Sequence, residues 1–147
     1  MAIFSTTCVD DAIAQLAELA RLPENAADDI LAAMASVVEK AQQSKIRSLG
    51  LVSTGRLADS IAAELKNGAH GHYALVYPRG THHTYKSRKT GKYSAASNAE
   101  VGFVHEYGAP QRNISAKHWM RTANEESAEA RVSAGQTALD KFIDSNL

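Results

Sequence analysis

The chain has little of what staples, spans or charges a protein. It holds one cysteine, Cys8, in 147 residues, which excludes an internal disulfide or a metal site built from cysteines. Cys8 itself reads as small apolar filler near a helix start. Basic and acidic residues number 16 each, so no global charge draws the molecule to nucleic acid or a membrane surface. No apolar run approaches the length of a bilayer. The N-terminus lacks a basic leader, and Asp10, Asp11, Gln15 and Glu18 interrupt its apolar residues, unlike a signal peptide. The expectation is a soluble protein made in a cytoplasm. A chain of this size suits a single domain over 1–147, long enough to bury a core and too short for two ordinary domains.

What is present centres on Glu100 to Ala123. Val101, Phe103, His105 and Tyr107 alternate with Gly102, Val104 and Glu106, the period of a strand. Gly108 gives backbone freedom and Pro110 removes a ladder donor, so the strand stops there. Ser115 can cap a helix that continues through Trp119, Met120 and Ala123. Glu106 and Arg112 are placed to tie the intervening turn by a charge-assisted bond, within one chain or between subunits.

These residues carry a resemblance. The segment Val104, Glu106, Tyr107, Gly108, followed after a loop by Trp119, Met120, Arg121 and Ala123, resembles the minor tail, or neck and tail-completion, family of long-tailed bacteriophages. Upstream, Thr54, Gly55, Arg56, Leu57, Ser60 and Ile61 match that family's other recurrent segment, and order and spacing agree over about residues 50–145. The chain departs from the pattern at His118 and Trp119, where members usually have Pro-Phe, and at Thr122, where many have a second proline. The resemblance implies a virion or prophage protein joining the tail tube to the head connector. It further implies a ring, typically sixfold, acting as a structural part and not as an enzyme.

In chain order, Val9, Ile13, Leu16 and Ala20 form an amphipathic stripe with Thr7 as its cap and Pro23 as its end. A longer helix is predicted from Asn25 to Ser48, with Ile30, Met34, Val37, Val38 and Ala41 on one face. The two make a helical hairpin over 1–50, which offers a surface to a neighbouring subunit. Thr54 and Gly55 open a short helix carrying Leu57. Ile61–Lys66 and Tyr73–Tyr77 read as strands around a glycine-containing turn. With Glu100–Tyr107 they predict a three-stranded antiparallel sheet. A last helix, from Ala116 to about Ile143, has small residues along one side and is expected to cover that sheet, with Trp119 as the anchor between the two and Gly135 marking a bend. The fold class is therefore α+β: helical hairpin, short helix, three strands, long helix.

Residues 78–98 are the least core-like part and are expected to be a mobile loop. From Asn67 to Ala99 the chain has five basic residues (Arg79, Lys86, Arg88, Lys89 and Lys92) and no acidic one. Tyr85 and Tyr93 interleave with these cations, a mixture that can grip phosphates and stack on bases. A solvated tip that touches an acidic neighbour would have the same composition.

Six histidines, at 70, 72, 82, 83, 105 and 118, repeat no strong zinc signature. His105 and Glu106 would face opposite sides of a strand and could not serve one substrate atom. Neither a nucleophile elbow nor a phosphate-binding glycine loop is visible. No catalysis, cofactor, metal, membrane or small-molecule substrate is expected. The partners expected are copies of the chain itself, the head connector, the tail tube and DNA in the channel. The competing readings are a small nucleic-acid-binding protein using residues 79–93 and a metal-dependent enzyme built on the histidines.

Overall fold

The computed structural model describes residues 24–51 and 55–146. The predicted first helix, around Val9 to Ala20, and Thr54 lie outside the described residues. The element order is α1 (Glu24–Ser48), α2 (Arg56–Asp59), β1 (Ile61–Gly68), β2 (Gly71–Pro78), β3 (Thr81–Lys86), β4 (Tyr93–Ser97) and α3 (Asn98–Tyr107). A 3-10 turn (Pro110–Arg112), α4 (Trp119–Glu126) and α5 (Ala128–Asn146) complete it. The class is α+β, as expected, with the sheet arranged differently.

Helix α1 is the backbone of the packing. Ala35, Val38, Gln42 and Ile46 are buried at helical spacing, and Lys45 and Arg47 in its last turn complement the negative end of the helix dipole. Against its two sides lie the β1–β2 hairpin and the pair α4 and α5. At its C-terminal end Ile46 meets Leu57, Ala58, Ile61 and Trp119, the buried centre, with Val76, Val101 and Met120 packed around it. Gln42 carries a polar tie through this layer: its Nε2 donates to Asn124 Oδ1 at 3.0 Å.

β1 and β2 pair antiparallel from Ile61↔Pro78 to Gly68↔Gly71, so the strands run closer to the turn than the sequence suggested. His72 on the face toward α1 makes a 2.9 Å contact from Nδ1 to Asp28 Oδ1. The opposite face carries Glu64, which accepts a hydrogen bond from the Tyr77 hydroxyl at 3.0 Å. That hydrogen bond is the first cause holding the Glu64 carboxyl below its ordinary range, against its own desolvation and with help from Lys66 and Arg79.

Four expectations fail, each for a physical reason. Glu100–Tyr107 is not a third strand but most of α3, and the described strands form two separate two-stranded sheets. The deciding signal is local: Ser97 Oγ accepts from Glu100 N–H, and the Glu100 side chain accepts from Ser97 N–H, a reciprocal cap that starts a helix. Second, residues 78–98 are not a structureless loop, because Thr81–Lys86 pairs with Tyr93–Ser97 as a second hairpin. Third, the last helix divides at Ser127 and packs on α1 instead of the sheet. Gly135 is what permits that approach: a Cβ there would sit 2.9 Å from Met34 Cγ and Sδ. Fourth, Ser115 does not cap α4, whose N-cap position is His118 at φ 47° with no side-chain cap of its own.

Candidate functional site

The corner between α3 and α4 gathers most of the residues singled out as a motif. With no side-chain hydrogen bond from His118 at its N-cap position, α4 starts with orphan N–H groups, and these are met from another element. The Glu106 carboxylate, 5% exposed, accepts from Met120 N–H at 2.7 Å and Arg121 N–H at 3.3 Å. A negative group at the positive end of a helix is held there by both hydrogen bonding and the dipole. Within one chain this corrects the Glu106–Arg112 pairing: Arg112 is exposed, and the Glu106 carboxylate is engaged by the two amides instead.

Trp119 is fully buried, and its Nε1 donates to the Gly102 carbonyl at 2.9 Å. It ties α4 to α3 by that bond and shares the buried centre with Ile61 of β1. A Cβ on Gly102 would lie 3.2 Å from Trp119 Cζ2 and 3.1 Å from Pro78 Cγ. Leu57, buried at 4% exposure, closes the same side, and Gly55 at φ 72° starts the short helix that delivers it. Lys117 N–H donates to the His105 carbonyl at 2.8 Å, so the returning chain satisfies the end of α3. Gly108, at φ 80°, admits no Cβ: one would stand 2.8 Å from Ala116 N. Glu106, Gly108, Trp119 and Met120 thus converge on one closed corner whose work is folding.

The same helix sends two aromatics outward. Phe103 and Tyr107 are one helical turn apart, each 63% exposed, with ring centroids 4.7 Å apart. Phe103 lines an open groove of about 800 Å³ between α3 and the second hairpin, together with His83, Tyr85, Ala96, Val104 and Ile114, while Tyr107 borders a second hollow beside His118 and Met120. Sequence reasoning missed Phe103 because a strand would have turned it inward with Val101. The Ser97-to-Glu100 cap, legible in the sequence, would have placed it on the outer face.

The β3–β4 hairpin is clamped at its root and bare at its tip. Asn98, 5% exposed, donates from Nδ2 to the Arg79 carbonyl at 2.7 Å, and the Arg56 guanidinium donates to the His82 carbonyl at 2.8 Å. Arg79 therefore belongs to the root, stacked 5.9 Å from the Tyr77 ring. Lys86, Arg88, Lys89 and Lys92 belong to the tip, around a tight turn in which Gly91 N–H donates to the Ser87 carbonyl. Tyr85 and Tyr93 fall on opposite faces, because Tyr85 pairs with Ser94 and Tyr93 with Lys86. Tyr85 faces the groove, and the Lys86 ammonium sits 5.8 Å from the Tyr93 ring.

An irregularity in register between Thr81 and His83 brings neighbouring imidazoles together, His82 Nδ1 to His83 Nδ1 at 2.8 Å. His82 and His105 line a separate hollow of about 240 Å³. Burial first, then Lys117 and His82, push the His105 imidazole below its ordinary value near 6.5. Among the described residues no three His, Cys, Asp or Glu side chains group as metal ligands would.

Compared with protein families, residues 10–102 match the model of the HK97-gp10-like family, described as "Bacteriophage HK97-gp10, putative tail-component". The chain belongs to the HK97-gp10-like family. The match spans well over half of the chain, taking in Gly55, Leu57 and the whole basic hairpin, and it ends at Gly102, ahead of the Glu106-to-Met120 corner. Membership of the HK97-gp10-like family carries a structural role in a phage tail and a place in the virion. No described helix is long and apolar enough to cross a membrane. Comparisons with curated proteins and with solved structures found no match.

Proposed function

We propose that this chain is a ring-forming, non-enzymatic piece of the phage neck or tail end, which joins or completes the tail at the interface with the head. The observation that carries the reading beyond family membership is the Phe103–Tyr107 pair. A single copy leaves both rings 63% exposed, with Phe103 on an open apolar groove, surface of the kind that a neighbouring protein covers. Partners on two sides of one small domain give the head-to-tail contacts that close a ring when the rotation closes. On this reading the neighbours are other copies of the chain, in a sixfold ring, with the head connector above and the tail tube below.

The measurement is the mass of the purified protein in solution, alone and after mixing with tail tubes. A closed oligomer, or co-sedimentation with tubes, supports the reading; a monomer that ignores tubes removes it. A second reading, nucleic-acid binding through the basic hairpin, draws on four tip cations that pair with no carboxylate among the described residues. Filter binding of DNA at two salt concentrations tests it, since binding through phosphate contacts weakens steeply with salt.

A further inference from the structure

We propose that the β3–β4 turn of one copy docks on the acidic outer stripe of α5 in the next copy. This inference rests on the ring reading and names the contact that would close it.

The starting observation is segregated charge in a neutral chain. Residues 78–98 carry five basic side chains and no acidic one, so the remainder holds 16 acidic against 11 basic. A molecule built this way offers each copy a positive projection and a negative body. Electrostatic complementarity of that sort steers association and fixes its register.

The projection has no use for its charge within one chain. Lys86, Arg88, Lys89 and Lys92 are exposed, and among the described residues none of them pairs with a carboxylate. The hairpin packs chiefly against α3 and is tied to α2 through Arg56, while α5 packs on α1 and α4, so the two lie on different parts of the fold. A contact between them is available between copies, and it is head-to-tail by construction.

The receiving face is read from helical spacing. Glu129, Val132, Asp140 and Asp144 are exposed along one arc of α5, and Arg131 and Lys141 fall outside that arc. Val132, 62% exposed one turn after Glu129, gives the stripe an apolar edge, and the three carboxylates make no ion pair among the described residues. Tyr93, 77% exposed on the same face of the hairpin as Lys86, supplies the matching apolar surface. Nucleic acid fits the hairpin less well. Tyr85 and Tyr93 lie on opposite faces, so they make no shared stacking platform, and the chain as a whole has no positive surplus.

Three altered chains test the contact by sedimentation velocity at low salt. The first reverses the hairpin (Lys86→Glu, Lys89→Glu, Lys92→Glu), the second reverses the stripe (Glu129→Lys, Asp140→Lys, Asp144→Lys), and the third combines both. Each single reversal is expected to raise the concentration for half assembly by roughly tenfold or more, and the combined chain to restore it. Melting by circular dichroism confirms that these exposed changes leave the fold in place. An oligomer indifferent to the hairpin reversal, or disrupted by it and not rescued by the stripe reversal, overturns this contact and leaves the ring standing. A native chain that stays monomeric removes the ring itself. Duplex DNA retained by the native chain and lost on hairpin reversal, with assembly unchanged, overturns the contact in favour of nucleic acid.

Discussion

The carboxylate of Glu106, at the end of α3, stands 2.7 Å from the backbone nitrogen of Met120 and caps a helix that begins 13 residues later at Trp119. A buried acceptor that satisfies two orphan N–H groups is costly to remove. Glu106→Ala is expected to lower stability by about 2 kcal/mol, through the lost cap and the donors left behind. Glu106→Gln, which keeps one acceptor, costs less, and Arg112→Ala stays within about 0.5 kcal/mol. Denaturant unfolding ranks the three, and a large effect at Arg112 would reinstate the pairing the sequence suggested.

Two glycines with opposite consequences make a second comparison. Gly108→Ala places a Cβ 2.8 Å from backbone Ala116 N at a positive φ, and should cost roughly 3 kcal/mol or prevent folding. Gly135→Ala meets the Met34 side chain, which can shift, and gains about 1 kcal/mol of helix propensity. Its net effect is expected within about 1 kcal/mol of zero. Thermal melts of the two variants are the check.

Phe103→Ser with Tyr107→Ser removes exposed rings that hold nothing together inside the chain. Melting should shift little, while oligomer mass and the yield of joined particles in a complementation assay fall. Unchanged particle yield would strip the aromatic pair of its assembly role.

The fourth expectation concerns acid. His105 has its pKa lowered by burial, so the folded state prefers the neutral ring and the unfolded chain takes up the proton more readily. Its contribution is therefore fully present above about pH 6.5, the unfolded value, and is lost as pH falls from there through the folded value. Melting temperature is expected to drop between pH 7.5 and 5.5, and less so in His105→Gln. Equal drops in both chains would refute the assignment.

How much of this could be read in advance depended on whether a local signal had one interpretation. Helix α1, the β1–β2 hairpin and the short helix with Leu57 were legible, because periodicity and glycine punctuation agreed. Residues 100–107 were not. Val101, Phe103, His105 and Tyr107 alternate like a strand, yet Gly102 and Glu106, four apart, are the buried pair of a helix. Alternation over eight residues fits both periods when the apolar positions include a glycine and a carboxylate, and the capping residues just upstream decide it. The second hairpin was missed for a different reason. Its strands bury almost nothing, so no apolar pattern announces them, and their order comes from backbone pairing and the clamps at the root. Of the candidate residues, Glu106, Gly108 and Trp119 meet at one corner, but the partner of Glu106 is a pair of amides, which no side-chain pattern encodes.

Clamping one end of the second hairpin with Asn98 and Arg56, and closing the other with the Ser87–Lys92 turn, makes it a short stiff arm. Whatever it meets, only the long cationic side chains at its end must still find their conformation, so little disorder has to be surrendered on contact. Shortening the arm by whole strand pairs would then change reach while leaving the grip chemistry alone, and reach is the quantity that fixes how far apart two neighbours can stand.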